Sequence, residues 1–135
     1  VGSTAVPGGE LAEPVNRLEA EEDSDCAWRS YVNDQLATTY AGLFAAVDAL
    51  VFLEAPSFDA IYRWRFDQER KLAASAGAEG TQVMDEASLK RFLQYYERIT
   101  RHNLVTLHSH ADVVLALNED HAVTDVTYAG LTTGR

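Results

Sequence analysis

The sequence predicts an α/β domain in which a few parallel strands are flanked by helices and closed by a C-terminal hairpin strand. Three observations carry that prediction. Ala49–Leu53 and Asp112–Leu117 are short continuous apolar runs, as expected of strands buried on both faces. Between them lie two segments with apolar residues at three- and four-residue spacing, the helical period. After the second run, Asn118-Glu119-Asp120 supplies a turn and Ala122–Tyr128 alternates like an edge strand. With 135 residues, 47% of them apolar and 24% charged, the chain suffices for one domain and is too apolar for a disordered one.

Residues 1–25 read as an irregular leader punctuated by Pro7, Gly8, Gly9 and Pro14. A short helix fits within Leu11–Glu22, and Glu21–Asp25 reads as a solvated acidic loop. A long first helix is expected after Ser24 or Asp25, either of which can cap it. Trp28, Val32, Leu36, Tyr40, Leu43, Phe44 and Val47 then form one apolar stripe that ends at Asp48. Pro56 stops the first strand, and Ser57 caps a second helix from Phe58 to about Ser75, closed by Gly77. Gly77–Gln82 is a loop of small residues. Asp85 caps a third helix, with Met84 and Leu89 placed as a hydrophobic staple. That helix carries Leu89, Phe92, Leu93, Tyr96 and Ile99 on one face and runs to about Leu107. The domain spans 26–128 and leaves 129–135 as a tail. So few strands leave sheet edges open, as in one side of a larger sheet.

The net charge is −10, and it is unevenly spread. Residues 1–59 hold 11 acids and 2 bases, residues 60–101 hold 8 bases and 6 acids, and the remainder holds 4 acids and 1 base. Such a surface repels a nucleic-acid backbone, yet leaves a local anion site open in the middle segment. No apolar run approaches the roughly 18 residues of a membrane span. Val1–Val15 lacks the basic start and apolar centre of a secretory signal, and Cys26 has no disulfide partner, so a cytoplasmic location is expected. Cys26 sits among acids, which disfavours a reactive thiolate. His102, His108, His110 and Asp112 have metal-ligand residue types where a helix meets a strand, but surface histidines explain them better, and no metal site is expected.

The segment Phe58–Leu72 is the most informative. Arg65 and Glu69 fall on the stripe of Phe58, Ile61, Tyr62 and Leu72. An arginine on a half-buried face needs an anion, and two readings are open. Glu69 can satisfy Arg65 as an i,i+4 pair, with Arg63 and Arg70 solvated. Alternatively, Arg63 or Arg65 faces a phosphate, whose oxygens match the guanidinium fork. The third helix adds Lys90, Arg91, Arg98 and Arg101, an array that suits either a polar face or an anion site.

Trp64-Arg65-x-x-Gln68-Glu69, directly after a strand and an Ala-Pro turn, resembles the D-glycerate 3-kinase-like group of P-loop kinases, relatives of phosphoribulokinase and uridine kinase. Tyr31-Val32-Asn33-x-x-Leu36-x-x-x-Tyr40 and Val47–Val51 resemble the segment preceding that strand. Met84-Asp85-Glu86, Tyr95-Tyr96-Glu97-Arg98 and Ala111–Leu115 resemble the helix after the lid and a late strand. The resemblance runs from about Val1 to Val126 and implies part of a three-layer P-loop kinase-type fold, with lid helices over 57–107. It implies an ATP- and Mg-dependent kinase acting on a hydroxyl of a small acid or sugar. By that resemblance Arg63 and Arg65 are catalytic, stabilising charge in the transfer, while Asn33, Gln68, Glu69 and Arg98 bind substrate or phosphate.

One departure shapes the expectation. The family's phosphate cradle, G-x-x-x-x-G-K-[ST], is not in this sequence: Lys71 and Lys90 are the only lysines, and neither follows a glycine. The chain thus corresponds to the C-terminal half of such a kinase, with Val1-Gly2 just after the strand that carries an acidic residue in the family, and no activity is expected from it alone. A non-enzymatic interaction domain, forming a homo-oligomer through the open sheet edge, is the alternative.

Overall fold

A computed structural model describes residues 2–75 and 84–129, and among them side chains accept from free N–H groups at the starts of four of the five α-helices. The expected closure at Gly77, the Gly77–Gln82 loop and most of the tail lie outside these residues. In the leader, Asn16 Oδ1 accepts from the Glu19 N–H at 3.0 Å and opens α1 (Arg17–Glu22), the short helix expected there.

The next helix, α2 (Ala27–Ala37), starts differently from the expectation. Neither Ser24 nor Asp25 is its main cap. The Asp23 carboxylate accepts from the Trp28 N–H at 2.7 Å and the Arg29 N–H at 3.1 Å, while Cys26 turns the chain with a left-handed φ of 63°. Asp25 adds only a 3.3 Å bond to the Ala27 N–H. The single long helix is also corrected: it divides at Thr38 (φ −118°, ψ −81°), and α3 (Thr39–Ala45) follows. Thr38 Oγ1 donates to the Asp34 carbonyl at 2.6 Å, a local bond that competes with helix continuation. The stripe is broken with it, since Leu36 is buried but Trp28 and Leu43 are about 60% exposed.

Strands β1 (Val51–Glu54), β2 (Val113–Leu117) and β3 (Val123–Tyr128) form one sheet in that order. The β1–β2 pair is parallel and the β2–β3 pair antiparallel. Asp112 Oδ2 fixes the start of the parallel pair by accepting from the Leu50 N–H at 2.7 Å. Two-sided burial of the strands is not found. The register puts Val51, Leu53, Val126 and Tyr128 on one face, and all four are exposed; of the strand residues, only Val114 on the opposite face is buried.

Ser57 and Asp85 cap as expected. Ser57 Oγ accepts from the Ala60 N–H at 3.1 Å ahead of α4 (Phe58–Ser75). Asp85 accepts from the Ser88 N–H at 2.7 Å ahead of α5 (Glu86–Thr106). These two helices pack together around Phe58, Leu89 and Leu93, with Tyr62, Phe66 and Phe92 partly buried against them. Tyr96, expected on that face, is exposed, and Glu97 is buried instead. Glu97 holds Asn16 Nδ2 at 3.1 Å and Arg101 at 2.8 Å.

The leader is held by two arginines. From α2, buried Arg29 donates through Nε to the Leu11 carbonyl at 2.7 Å, through Nη2 to the Ala12 carbonyl at 3.3 Å, and through Nη1 to Asp23. From α5, Arg98 grips both Glu19 oxygens, at 2.9 and 2.6 Å, and donates to the carbonyls of Glu10 and Glu13 at 2.7 and 2.6 Å. The acidic run is therefore not simply solvated, because Asp23 is buried inside this clamp. Burial pushes the Glu19 carboxyl up, but Arg98 and the Val15 N–H hold it below its ordinary range. Burial likewise pushes Asp23 up, and the Trp28 and Arg29 N–H groups with the Arg29 side chain bring it below.

Two outcomes are expected. Leu89→Ala lowers unfolding free energy by about 3 kcal/mol in urea titrations, as a cavity-forming change at a closed site does. Leu53→Ala, on the open face, shifts it by less than about 1 kcal/mol; an equal loss would mean that this face is covered in solution. The clamp also sets a pH dependence. A carboxyl with a depressed folded pKa contributes stability that is full above its unfolded value and is lost as pH falls through the folded one. Stability should therefore hold from neutrality down to the ordinary values of 4.5 (Glu19) and 3.8 (Asp23), then fall below them. Arg98→Met should flatten that fall; an unchanged acid limb in urea titrations run at successive pH values would contradict the Glu19 assignment.

Candidate phosphate-binding cleft

In sheets with parallel strands, ligands collect beyond the carboxyl ends of the strands. Here β1 leaves through Ala55-Pro56-Ser57 into α4, and β2 leaves through the turn Asn118–Ala122. That turn is built by Asn118, whose Oδ1 accepts from the N–H groups of Asp120 and Ala122, each at 2.9 Å. His121 completes it in the left-handed conformation, with φ 63°. The turn is fastened to α4 by Trp64. Trp64 Nε1–H donates to the Glu119 carbonyl at 2.7 Å, and the His121 ring lies 4.1 Å from the indole. Between turn and helix is an open cleft of about 620 Å³, whose walls carry the cations Arg65 and Lys71 and the carboxylates Asp67, Glu119 and Asp120, with Trp64, Gln68 and His121.

Among the residues expected to act here, Arg63 does not line the cleft itself but pairs with Glu119, which does, both side chains being more than half exposed. Arg65 stays within its helix, donating to Gln68 Oε1 and, at 3.3 Å, to Glu69 Oε1. The i,i+4 pair open at the sequence level is therefore formed, and Arg65 still lines the cleft. Glu69 is buried behind it, and its other oxygen accepts from the Met84 N–H at 3.3 Å.

Asn33 and Arg98 are not brought to this cleft. Asn33 exchanges two hydrogen bonds with the backbone of Val6, at 2.7 and 3.0 Å, and Arg98 belongs to the leader clamp. Two other bases of α5 are also engaged: Arg91 binds Glu22, and Arg101 binds Glu97 while lying over the Phe58 ring at 4.9 Å.

Three cleft residues, Trp64, Lys71 and His121, were given no role by sequence. Trp64 and Lys71 stand seven residues apart on α4 with the expected Gln68 between them, so a common face was legible. His121 gave no such signal, because its place depends on a left-handed turn.

The histidines do not converge. His102 Nε2 meets Thr4 Oγ1 at 2.9 Å, His110 Nδ1 meets the Thr106 carbonyl at 2.9 Å, and His108 sits in a 3-10 turn (Leu107–Ser109) rather than on a strand. Among the described residues no three metal-ligating side chains gather, and no helix is long and apolar enough to cross a membrane. Cys26 Sγ donates to the Leu11 carbonyl at 3.2 Å.

No family model matches the chain, and no curated protein matches it. Solved structures do. D-glycerate 3-kinase from Cryptococcus neoformans var. grubii serotype A superposes with a TM-score of 0.70 at 15% identity, over 94% of this chain and 46% of that one. The YGR205w protein superposes at 0.53 with 16% identity, over 93% of this chain and 44% of that one. The chain thus spans less than half the length of either structure. Its parallel strand pair, hairpin strand and flanking helices are part of the α/β fold of D-glycerate 3-kinase.

Proposed function

We propose that this chain is the C-terminal part of an ATP-dependent kinase that phosphorylates a hydroxyl of a small acid or sugar, glycerate-like, and that it is inactive by itself. The observation that carries the reading is a charged cleft, with Arg65 and Lys71 beside Asp67, Glu119 and Asp120, at the carboxyl ends of parallel strands in a fold shared with a D-glycerate 3-kinase. The exposed cations Arg63 and Lys71, with Arg65 and Gln68, fit the oxygens of a polyphosphate, and Arg63 can exchange Glu119 for a phosphate at little cost because surface ion pairs are weak. Mg-ATP, when bound, would supply the γ-phosphoryl group to the substrate hydroxyl, with ADP as leaving group and the hydroxyl proton released to solvent. Arg63 and Arg65 stabilise charge on the moving group, and Glu69 and Gln68 hold Arg65 in position. Asn33 and Arg98 hold the leader rather than reach the cleft, so in this reading they contribute only through the leader's position.

Incubated with ATP, magnesium and D-glycerate, the chain alone should give no turnover, since the sequence has no G-x-x-x-x-G-K-[ST] cradle. Measurable ADP formation above a protein-free control would overturn its inactivity. The cleft is tested separately by titrating tripolyphosphate while following Trp64 fluorescence. Arg65→Met and Lys71→Met should each weaken binding by about tenfold, the scale of one charge-assisted hydrogen bond. Equal binding by the double variant would remove the cleft from the assignment.

One observation favours a second reading, an interaction domain derived from the same fold. The face carrying Val51, Leu53, Val126 and Tyr128 is open, and β1 has an unpaired edge among the described residues. A stable, folded monomer in dilute sedimentation runs would argue against an obligate partner.

A further inference from the structure

A second cavity, of about 230 Å³, lies between the leader, α2 and α5, away from the phosphate cleft. Its walls are largely apolar, formed by Leu11, Leu18, Val32, Leu36 and Ile99, and the exposed rings of Trp28 and Tyr95 reach its lining. Its polar side chains are unequally committed. Arg29, Arg98 and Asn33 spend their donors on the leader. The Gln94 side chain lines the cavity without a hydrogen-bond partner among the described residues. No cation there is free to receive an anion, and the segment forming most of the wall, residues 1–59, carries 11 acids against 2 bases.

The rim already binds a cation. Arg91, which is not part of the lining, places its guanidinium 5.9 Å from the centre of the Tyr95 ring while donating to both Glu22 oxygens, one of them at 2.8 Å. An aromatic face beside a carboxylate is how proteins hold organic cations. The Arg91 side chain is about half exposed, so its hold on Glu22 is exchangeable.

We propose that this cavity is a binding site for a small organic amine with a flat apolar body. The body occupies the space between Val32, Leu36 and Ile99, and the ammonium group takes the Glu22–Tyr95 position from Arg91. The Gln94 amide supplies the remaining polar contact. Carboxylates and phosphates of similar shape are rejected, which makes this site chemically opposite to the cleft on α4.

The probes are 2-phenylethylamine and the near-isosteric acid 3-phenylpropanoate, titrated at neutral pH with calorimetry and with amide NMR shifts of Gln94 and Ile99. The amine should bind saturably and at least tenfold more tightly than the acid. Arg91→Ala should strengthen amine binding several-fold by removing the competing cation, and Val32→Phe should weaken it at least tenfold by filling the cavity. Because Val32→Phe could disturb folding, Glu22→Gln is the second variant, expected to weaken amine binding while leaving the fold intact. Equal affinity for amine and acid, no saturation at millimolar amine, or unchanged binding in Glu22→Gln would each overturn the proposal. None of these results depends on the phosphate cleft.

Discussion

The leader has its place in this fold because two arginines satisfy its carbonyls. Arg29 on α2 and Arg98 on α5 reach the carbonyls of Leu11, Ala12, Glu10 and Glu13 and the carboxylates of Asp23 and Glu19. Leu11 and Leu18 contribute buried area, but α1 has only six residues and cannot hold itself in place. Removing either guanidinium would strand leader carbonyls and leave Asp23 or Glu19 with backbone N–H partners alone, a destabilising change. Since the clamp engages α2 and α5 through the same stretch of chain, it also fixes the spacing of those helices. The second cavity is the gap between them that the clamp preserves.

Apolar burial is concentrated elsewhere. Phe58, Leu89 and Leu93 join α4 to α5, whereas the sheet buries only Val114 among its strand residues. The sheet therefore serves less as a core than as a frame that aims its loops. Asp112 sets the β1–β2 register, and that register determines where α4 and the Asn118–Ala122 turn begin. Trp64 then closes the distance between them with one hydrogen bond and one ring contact. The open face of the sheet and the precise placing of the cleft follow from one cause: this part of the fold has strand order without a second layer over Val51 and Leu53.

Caps and periodicity were the most legible features. Ser57 and Asp85 open α4 and α5 where hydroxyl and carboxylate side chains precede helical spacing, and the hairpin turn lies at Asn118 as its residue types imply. The division at Thr38 was not legible, because the hydrophobic period continues through it and the interruption is a hydroxyl bond to the Asp34 carbonyl. Asp23 was misread as solvated for a related reason. Local sequence shows an acidic run, while only the tertiary arrangement brings Arg29 to it. In the site, the α4 residues were legible as a helical face. Asn33 and Arg98 were grouped with them by family resemblance, and the structure places both against the leader, 27 and at least 79 residues from their partners in sequence.

The charge pattern acquires a physical meaning when each base is judged by how firmly it is engaged. Arg29 and Arg98 are nearly closed to solvent and have every donor group occupied, so exchanging their partners would break several bonds at once. Arg63 is exposed and shares a single carboxylate, and Lys71 has no ion pair among the described residues. Arg65 lies between these cases, held by neighbours on its own helix but facing the cleft. A phosphate can recruit only cations whose present partners are cheap to leave. By that criterion the basic segment divides within itself: Arg63 on α4 has a partner that is cheap to leave and Lys71 has no ion pair among the described residues, whereas Arg91 and Arg98 on α5 hold carboxylates of the leader. The positive charge that opposes the acidic surface is thus of two kinds on adjacent helices, loosely paired at Arg63 on α4 and firmly engaged at Arg98 on α5.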